Sequence, residues 1–227
     1  MPDRPGRHDG DMTTRTESVD TPAGEARITW HTAPGARLVL AVSHGAGGGI
    51  EARDLRALAA ALPARGITVA LVEQPWRVAG KKVAAAPKVL DEGWRGLWPA
   101  LTRPGAAVVA GGRSAGARVA CRTADELGAA GVLALAFPLH PPGRPEKSRA
   151  GELTGAGRPV LVVQGTRDPF GRPEEFPTPG GMHPYELVEV AHGDHGFAVP
   201  KKASTTQEEA LRTITDAVGE WLERLPG

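Results

Sequence analysis

Three side chains, far apart in the sequence, have the types and settings needed for covalent acyl chemistry. Ser114 is the centre of Gly112-Arg113-Ser114-Ala115-Gly116, a G-x-S-x-G pattern. Asp168 stands in Gly165-Thr166-Arg167-Asp168-Pro169, and His195 in Ala191-His192-Gly193-Asp194-His195-Gly196. A serine hydroxyl is a weak nucleophile until a base removes its proton, and imidazole titrates near neutrality. A carboxylate fixes the imidazole tautomer and stabilises the imidazolium. A fourth segment, His44-Gly45-Ala46-Gly47-Gly48-Gly49, offers backbone amides. Attack on an ester-type carbonyl creates an oxyanion that needs two such donors. The amide of Ala115, directly after the serine, is one expected donor. Ala46 is the expected second, with Gly45 and Gly47 letting the backbone approach the substrate.

These residues need elements to hold them, and the hydrophobic pattern supplies candidates. Apolar runs at Arg37–Ser43, Ile67–Val72, Ala106–Ala110, Gly131–Ala136, Pro159–Gln164 and Tyr185–Val190 suit buried strands. Helical spacing of apolar residues covers Glu51–Leu62, Val89–Leu101 and Ser114–Leu127. A last helix carries Leu211, Ile214, Val218, Trp221, Leu222 and Leu225, preceded by Ser204, Thr205 and Thr206, each with Gln or Glu three residues on. Residues 73–86 and 138–158 read as loops. Buried strands alternating with helices imply a mostly parallel sheet covered on both faces. In such a sheet function gathers at the carboxyl ends of the strands, where all four chemical segments fall.

Each residue also has a plainer reading. Ser114 would serve as an incidental N-cap, Asp168 as a turn residue before Pro169, and either histidine as a loop residue. The order Ser, Asp, His on strand ends argues against coincidence. His195 is preferred to His192 as the base because it lies further along the loop and has length to fold back. Asp194 is too close to His195 to orient it, and Glu174 and Glu175 are weaker acids for the role. His44 reads as an organiser of its loop. Trp94, Trp98 and Cys121 read as core. Trp76 and His140 follow strand ends and are open to lining a pocket, and Arg113 to either an ion pair or a substrate contact.

Composition bounds the partners. The 227 residues carry 27 basic and 26 acidic side chains, a formal charge of +1. That balance gives no electrostatic basis for nucleic acid or an anionic membrane. One cysteine rules out an internal disulfide and a multi-cysteine metal site. No apolar run is long enough to span a membrane. Residues 1–22 are polar and charged and are expected to form a disordered tail, with one domain over 23–227. A cytoplasmic protein is expected, with no cofactor or metal, acting on a small-molecule acyl substrate, and compatible with a homo-oligomer.

The segments HGAGG, GGRSAG, FPLHPPGRPE, VVQGTRDPFG and GDHGF, in this order, resemble the small α/β-hydrolases without a cap, of the testis-expressed hydrolase-like type and distantly similar to dienelactone hydrolases. The resemblance runs from about Val39 to the C-terminus. It implies an α/β-hydrolase fold, with a mostly parallel sheet of about six to seven strands, helices on both faces and no large cap. It implies Ser114 as nucleophile, Asp168 as acid and His195 as base, and it supports the oxyanion role of the HGAGG loop. Dienelactone hydrolases carry Cys as nucleophile where this chain has Ser114. The ordered triad points to hydrolysis of a small acyl ester, thioester or lactone, and the resemblance gives no substrate. The alternative is a binding or assembly module with an idle triad.

Overall fold

The computed structural model describes residues 13–180 and 185–226. Eight strands form one sheet: β1 (Thr14–Thr21), β2 (Gly24–His31), β3 (Leu38–Ser43), β4 (Ile67–Glu73), β5 (Ala107–Arg113), β6 (Gly131–Leu135), β7 (Val160–Gly165) and β8 (Glu186–Val190). Their spatial order is β1-β2-β4-β3-β5-β6-β7-β8. β1 and β2 pair antiparallel, β2 joins β4 antiparallel, and every pair from β4 onward is parallel. The six expected strands are all present, and the sheet exceeds the expected six to seven by the hairpin β1–β2.

That hairpin corrects the expected tail. Residues 14–21 form a strand; the first twelve residues of the expected tail lie outside the described residues. β1 has no apolar run because it is an edge strand, mostly exposed. Its stability comes from an eight-residue ladder and from cross-strand pairs. Arg15 lies opposite Trp30 and stacks on its ring, 5.2 Å from the centroid, while Glu17 accepts from the Trp30 indole at 3.1 Å. Charged residues on an outer strand also discourage edge-to-edge association.

Among the described residues there are six α-helices: α1 (Arg53–Ala61), α2 (Pro75–Val78), α3 (Pro87–Thr102), α4 (Ala115–Thr123), α5 (Ala150–Thr154) and α6 (Gln207–Arg224). α2 and α5 fall in stretches expected to be loop. They are short, with too few turns to show a periodic pattern. α6 starts on Thr206, whose hydroxyl accepts from the Glu209 amide while the Glu209 carboxylate accepts from the Thr206 amide.

Alternation along β3 separates two cores. Leu38, Leu40 and Val42 pack with Leu55 and Leu58 of α1 and Ile214, Val218 and Trp221 of α6. Val39 and Ala41 face the other way, with Trp94 and Leu97 of α3 and Ala117 and Ala120 of α4. Because both faces are covered, these strands read as continuous apolar runs. From β3 the chain first builds outward to β4, then crosses back to β5. The crevice at this reversal opens at the carboxyl ends of β3 and β5.

Candidate active site

Ser114 sits where β5 turns into α4. Its backbone is in the left-handed region, φ 53° and ψ −112°. A non-glycine residue adopts that conformation only where its surroundings enforce it. Here the Ser114 amide donates to Leu135 O at 2.9 Å and the Ser114 carbonyl accepts from the Arg118 amide at 3.2 Å. The turn closes because its flanks lack side chains. A Cβ on Gly112 would lie 2.6 Å from Gly116 O, and a Cβ on Gly116 would lie 2.8 Å from Ser43 O.

Two further strand ends meet Ser114. His195 Nε2 is 2.9 Å from Ser114 Oγ, and His195 Nδ1 is 2.7 Å from Asp168 Oδ2. Asp168 is fully buried. Its Oδ1 accepts from the Phe170 amide at 2.8 Å and its Oδ2 from Gln164 Nε2 at 2.9 Å. This network fixes the tautomer: a carboxylate beside Nδ1 holds the proton there and leaves Nε2 as an acceptor facing the hydroxyl. The Phe170 ring lies 4.2 Å from the His195 ring at 30° and restricts its tilt. Sequence reasoning did not find Gln164 or Phe170. Gln164, the one polar side chain ending the apolar run Val160–Val163, was the available signal.

The histidine loop is built locally. Asp194 Oδ1 accepts from the amides of Gly196 and Ala198, both at 2.8 Å, so this acid holds backbone. Phe197, φ 53° and fully buried, anchors the loop in the α1–α6 core. Arg167 N donates to Gly193 O at 2.9 Å, joining the aspartate and histidine loops. His192 takes no part in this cluster: its Nε2 is 3.2 Å from Ser204 Oγ. Glu175 pairs with His140 at 3.2 Å.

The His44–Gly49 loop lies against the serine. A Cβ on the buried Gly45 would be 3.1 Å from Ser114 Cβ. Ala46 and Gly47 are exposed, and Gly47 has open space around it, which puts it at the rim. His44 organises this loop. Its Nε2 accepts from the Gln74 amide at 3.1 Å, so Nδ1 carries the proton and donates to Gly45 O at 2.9 Å. Trp76 packs edge-on against it, 5.3 Å between centroids. Trp76 also lines a cleft of about 320 Å³ with Pro75, Ala85 and Leu90. His140 lines a separate cleft with Asp168 and Arg172. Cys121 is buried, and burial pushes its thiol up to about 12, which makes it inert.

Burial holds His44 below the ordinary histidine value of 6.5. The unfolded chain binds this proton more readily, so the contribution is complete above pH 6.5 and is lost as pH falls toward the folded value. The melting temperature is therefore expected to drop between pH 7 and pH 5. His44→Asn should flatten that slope, measured by calorimetry over the same range. His31, also held low by burial, leaves a residual slope.

Among the described residues no group of three or more metal-ligating side chains occurs, and no helix is long and apolar enough to cross a membrane. A sheet whose strand order reverses at β3, with a serine on a strained strand–helix turn and a histidine–aspartate pair beside it, defines an α/β-hydrolase architecture. The alpha/beta hydrolase domain family model matches residues 34–223, and the chain belongs to that family. No curated protein matches the sequence. Solved structures share the fold. A serine hydrolase without a lid from Xanthomonas campestris is 20% identical, covering 96% of this chain and 97% of that one, with a TM-score of 0.68. A dienelactone hydrolase from Anabaena variabilis is 18% identical over 95% and 99%, with a TM-score of 0.72. An esterase domain from Rhodothermus marinus is 15% identical over 95% and 100%, with a TM-score of 0.67.

Proposed function

We propose that this chain is a serine hydrolase that cleaves a small acyl ester, thioester or lactone. The observation that carries the reading is the continuous contact from Ser114 Oγ through His195 to the buried Asp168, 2.9 Å and 2.7 Å. Ser114 Oγ attacks the carbonyl carbon as His195 Nε2 takes its proton. The carbonyl oxygen becomes an oxyanion, received by the amides of Ala115 and Ala46. Neither amide donates to another group among the described residues, so both are free to bind it. The N-terminal end of α4 adds its positive dipole at the same point. The tetrahedral intermediate then collapses and His195 gives the proton to the leaving oxygen or sulfur. Water, activated by the same imidazole, attacks the acyl-serine and releases the acid. The Asp168 carboxylate stabilises the imidazolium.

The serine hydrolase, dienelactone hydrolase and esterase activities of the structural neighbours support the class. Between β6 and β7 lie only a single 3-10 turn, Pro145–Lys147, and the five-residue α5. No helical lid of lipase type covers the site among the described residues, which favours small soluble substrates.

The test is labelling with a fluorophosphonate probe together with turnover of short p-nitrophenyl esters. Wild type should label on Ser114 and hydrolyse the esters. Ser114→Ala should lose the label and fall by about 10⁵–10⁶ in kcat. Hydrolysis by Ser114→Ala at the parental rate would overturn the reading. A folded wild type that neither labels nor turns over would favour an idle binding module.

A further inference from the structure

Arg113 ends β5 and immediately precedes the serine, and its guanidinium lies between the histidine loop and α1. Its Nη2 donates to the carbonyl of His195 at 2.6 Å. Its Nε lies 3.3 Å from Asp54 Oδ2, in the first turn of α1. The Arg113 side chain is 14% exposed and Asp54 is fully buried. Neither Asp54 oxygen has an aligned hydrogen-bond donor among the described residues, so the contact is an ion pair rather than a shaped hydrogen bond.

A buried carboxylate with no hydrogen bond is costly, and a fold retains one when a partner charge requires it. The partner here is a guanidinium, which stays charged at every working pH. Its hydrogen bond fixes the backbone from which the imidazole projects. Its charge has the opposite effect. A bare cation close to His195 opposes the imidazolium that forms when Ser114 attacks, and Asp54 cancels it. Burial holds the Asp54 carboxyl above its ordinary range, and Arg113 together with the first turn of α1 offsets only part of that rise.

We propose that Asp54 and Arg113 form a charge-balanced tether that positions His195 on Ser114; this rests on the hydrolase reading above. Both are positioning residues. One amino acid, Arg113, thereby links the nucleophile's turn to the loop of the base, and Asp54 makes that link electrostatically neutral.

The experiment compares Asp54→Asn, Arg113→Met and the double variant in the full chain. Readouts are kcat and KM for p-nitrophenyl acetate, the pH profile of kcat/KM, and the low-field proton resonance of His195 Nδ1–H, assigned by its loss in His195→Ala. In Asp54→Asn the guanidinium is uncompensated, so the acid limb of the profile should move to lower pH by about half a unit or more. Arg113→Met should lower kcat about tenfold with KM little changed, because the base is misplaced while the substrate site is intact. The double variant guards against a single variant that fails to fold on an unpaired buried charge. It should return the limb to the wild-type pH and keep the low kcat. A structural ion pair between α1 and β5 would move the melting temperature alone. The tether is overturned if the limb is unmoved in Asp54→Asn and the double variant turns over within twofold of wild type. If wild type neither labels nor turns over, the hydrolase reading fails on its own account. The Nδ1–H resonance then decides the tether, which predicts a lower titration midpoint in Asp54→Asn and a broadened line in Arg113→Met. An unchanged resonance in both would overturn it.

Discussion

Asp168→Ala is expected to lower kcat by about 10⁴, the scale on which the acid of a serine–histidine–acid system contributes. The substitution removes the acceptor of His195 Nδ1–H and of the Phe170 amide, and one of the acceptors of the Gln164 side-chain amide. Without the carboxylate, nothing holds the proton on Nδ1, and the tautomer with a proton on Nε2 cannot take one from Ser114. Asp168→Asn should lose less, about 10²–10³. Gln164 explains the difference. Its Nε2 also donates to Gly171 O at 2.8 Å, so its NH₂ end is fixed toward position 168. An asparagine there must place its oxygen toward Gln164 and His195 and its NH₂ toward the Phe170 amide. The correct imidazole tautomer survives, the negative charge is lost, and the unpaired Phe170 amide costs about 1–3 kcal/mol of stability. Steady-state turnover of p-nitrophenyl acetate, with active sites titrated, measures the first effect, and calorimetry the second. An Asp168→Ala variant within tenfold of wild type would remove this acid from the mechanism. Glu175 is no substitute, since its carboxylate lies on His140.

What could be read from sequence divides along a physical line. Strands β3 to β7 were legible because each is buried on both faces, so burial alone dictates a continuous apolar run; β8 is a partly exposed edge strand, marked by Tyr185, Leu187, Val188 and Val190. β1 was not legible, because only one row of backbone groups holds it and its side chains meet solvent. The contacting residues Ser114, Asp168 and His195 were legible because strand ends at a topological reversal must converge, and their chain order restricts the choice. His195 over His192 rested on loop length; the structure supplies a further cause, in that His192 is drawn to Ser204 at the start of the last helix. The supports were legible only in part. Arg113, beside the serine, stood open to an ion pair or a substrate contact, and the ion pair is what forms; Asp54 and Gln164 are ordinary residues of a helix and a strand. Arg113 is 82 residues from the carbonyl it holds. No local pattern marks such a partner, because the contact exists only once the sheet has assembled.

Gly116→Ala should cost both stability and activity, and Gly47→Ala neither. The new methyl on Gly116 would press on the Ser43 hydroxyl and lie 2.8 Å and 2.9 Å from the carbonyl oxygens of Ser43 and His44. None of these is the free end of a flexible side chain. Ser43 is fully buried and ends β3, which pairs with both β4 and β5, so it cannot retreat alone. Relief requires α4 to rise off the sheet. Such overpacking typically costs about 1–3 kcal/mol, and at about 2–4 °C per kcal/mol for a chain of this size the melting temperature should fall by roughly 2–12 °C. A rise of α4 also moves Ser114 and the Ala115 amide away from His195 and the oxyanion position. A displacement near 1 Å lowers turnover by about 10²-fold. Gly47 makes the comparison decisive, because it lies in the other expected oxyanion loop and nothing stands within 4 Å of an added Cβ. Equal losses in both variants would mean that glycine is needed for loop flexibility. A loss confined to Gly116→Ala would mean that the missing side chain is what brings α4 down onto β3 and lifts Ser114 into its strained conformation.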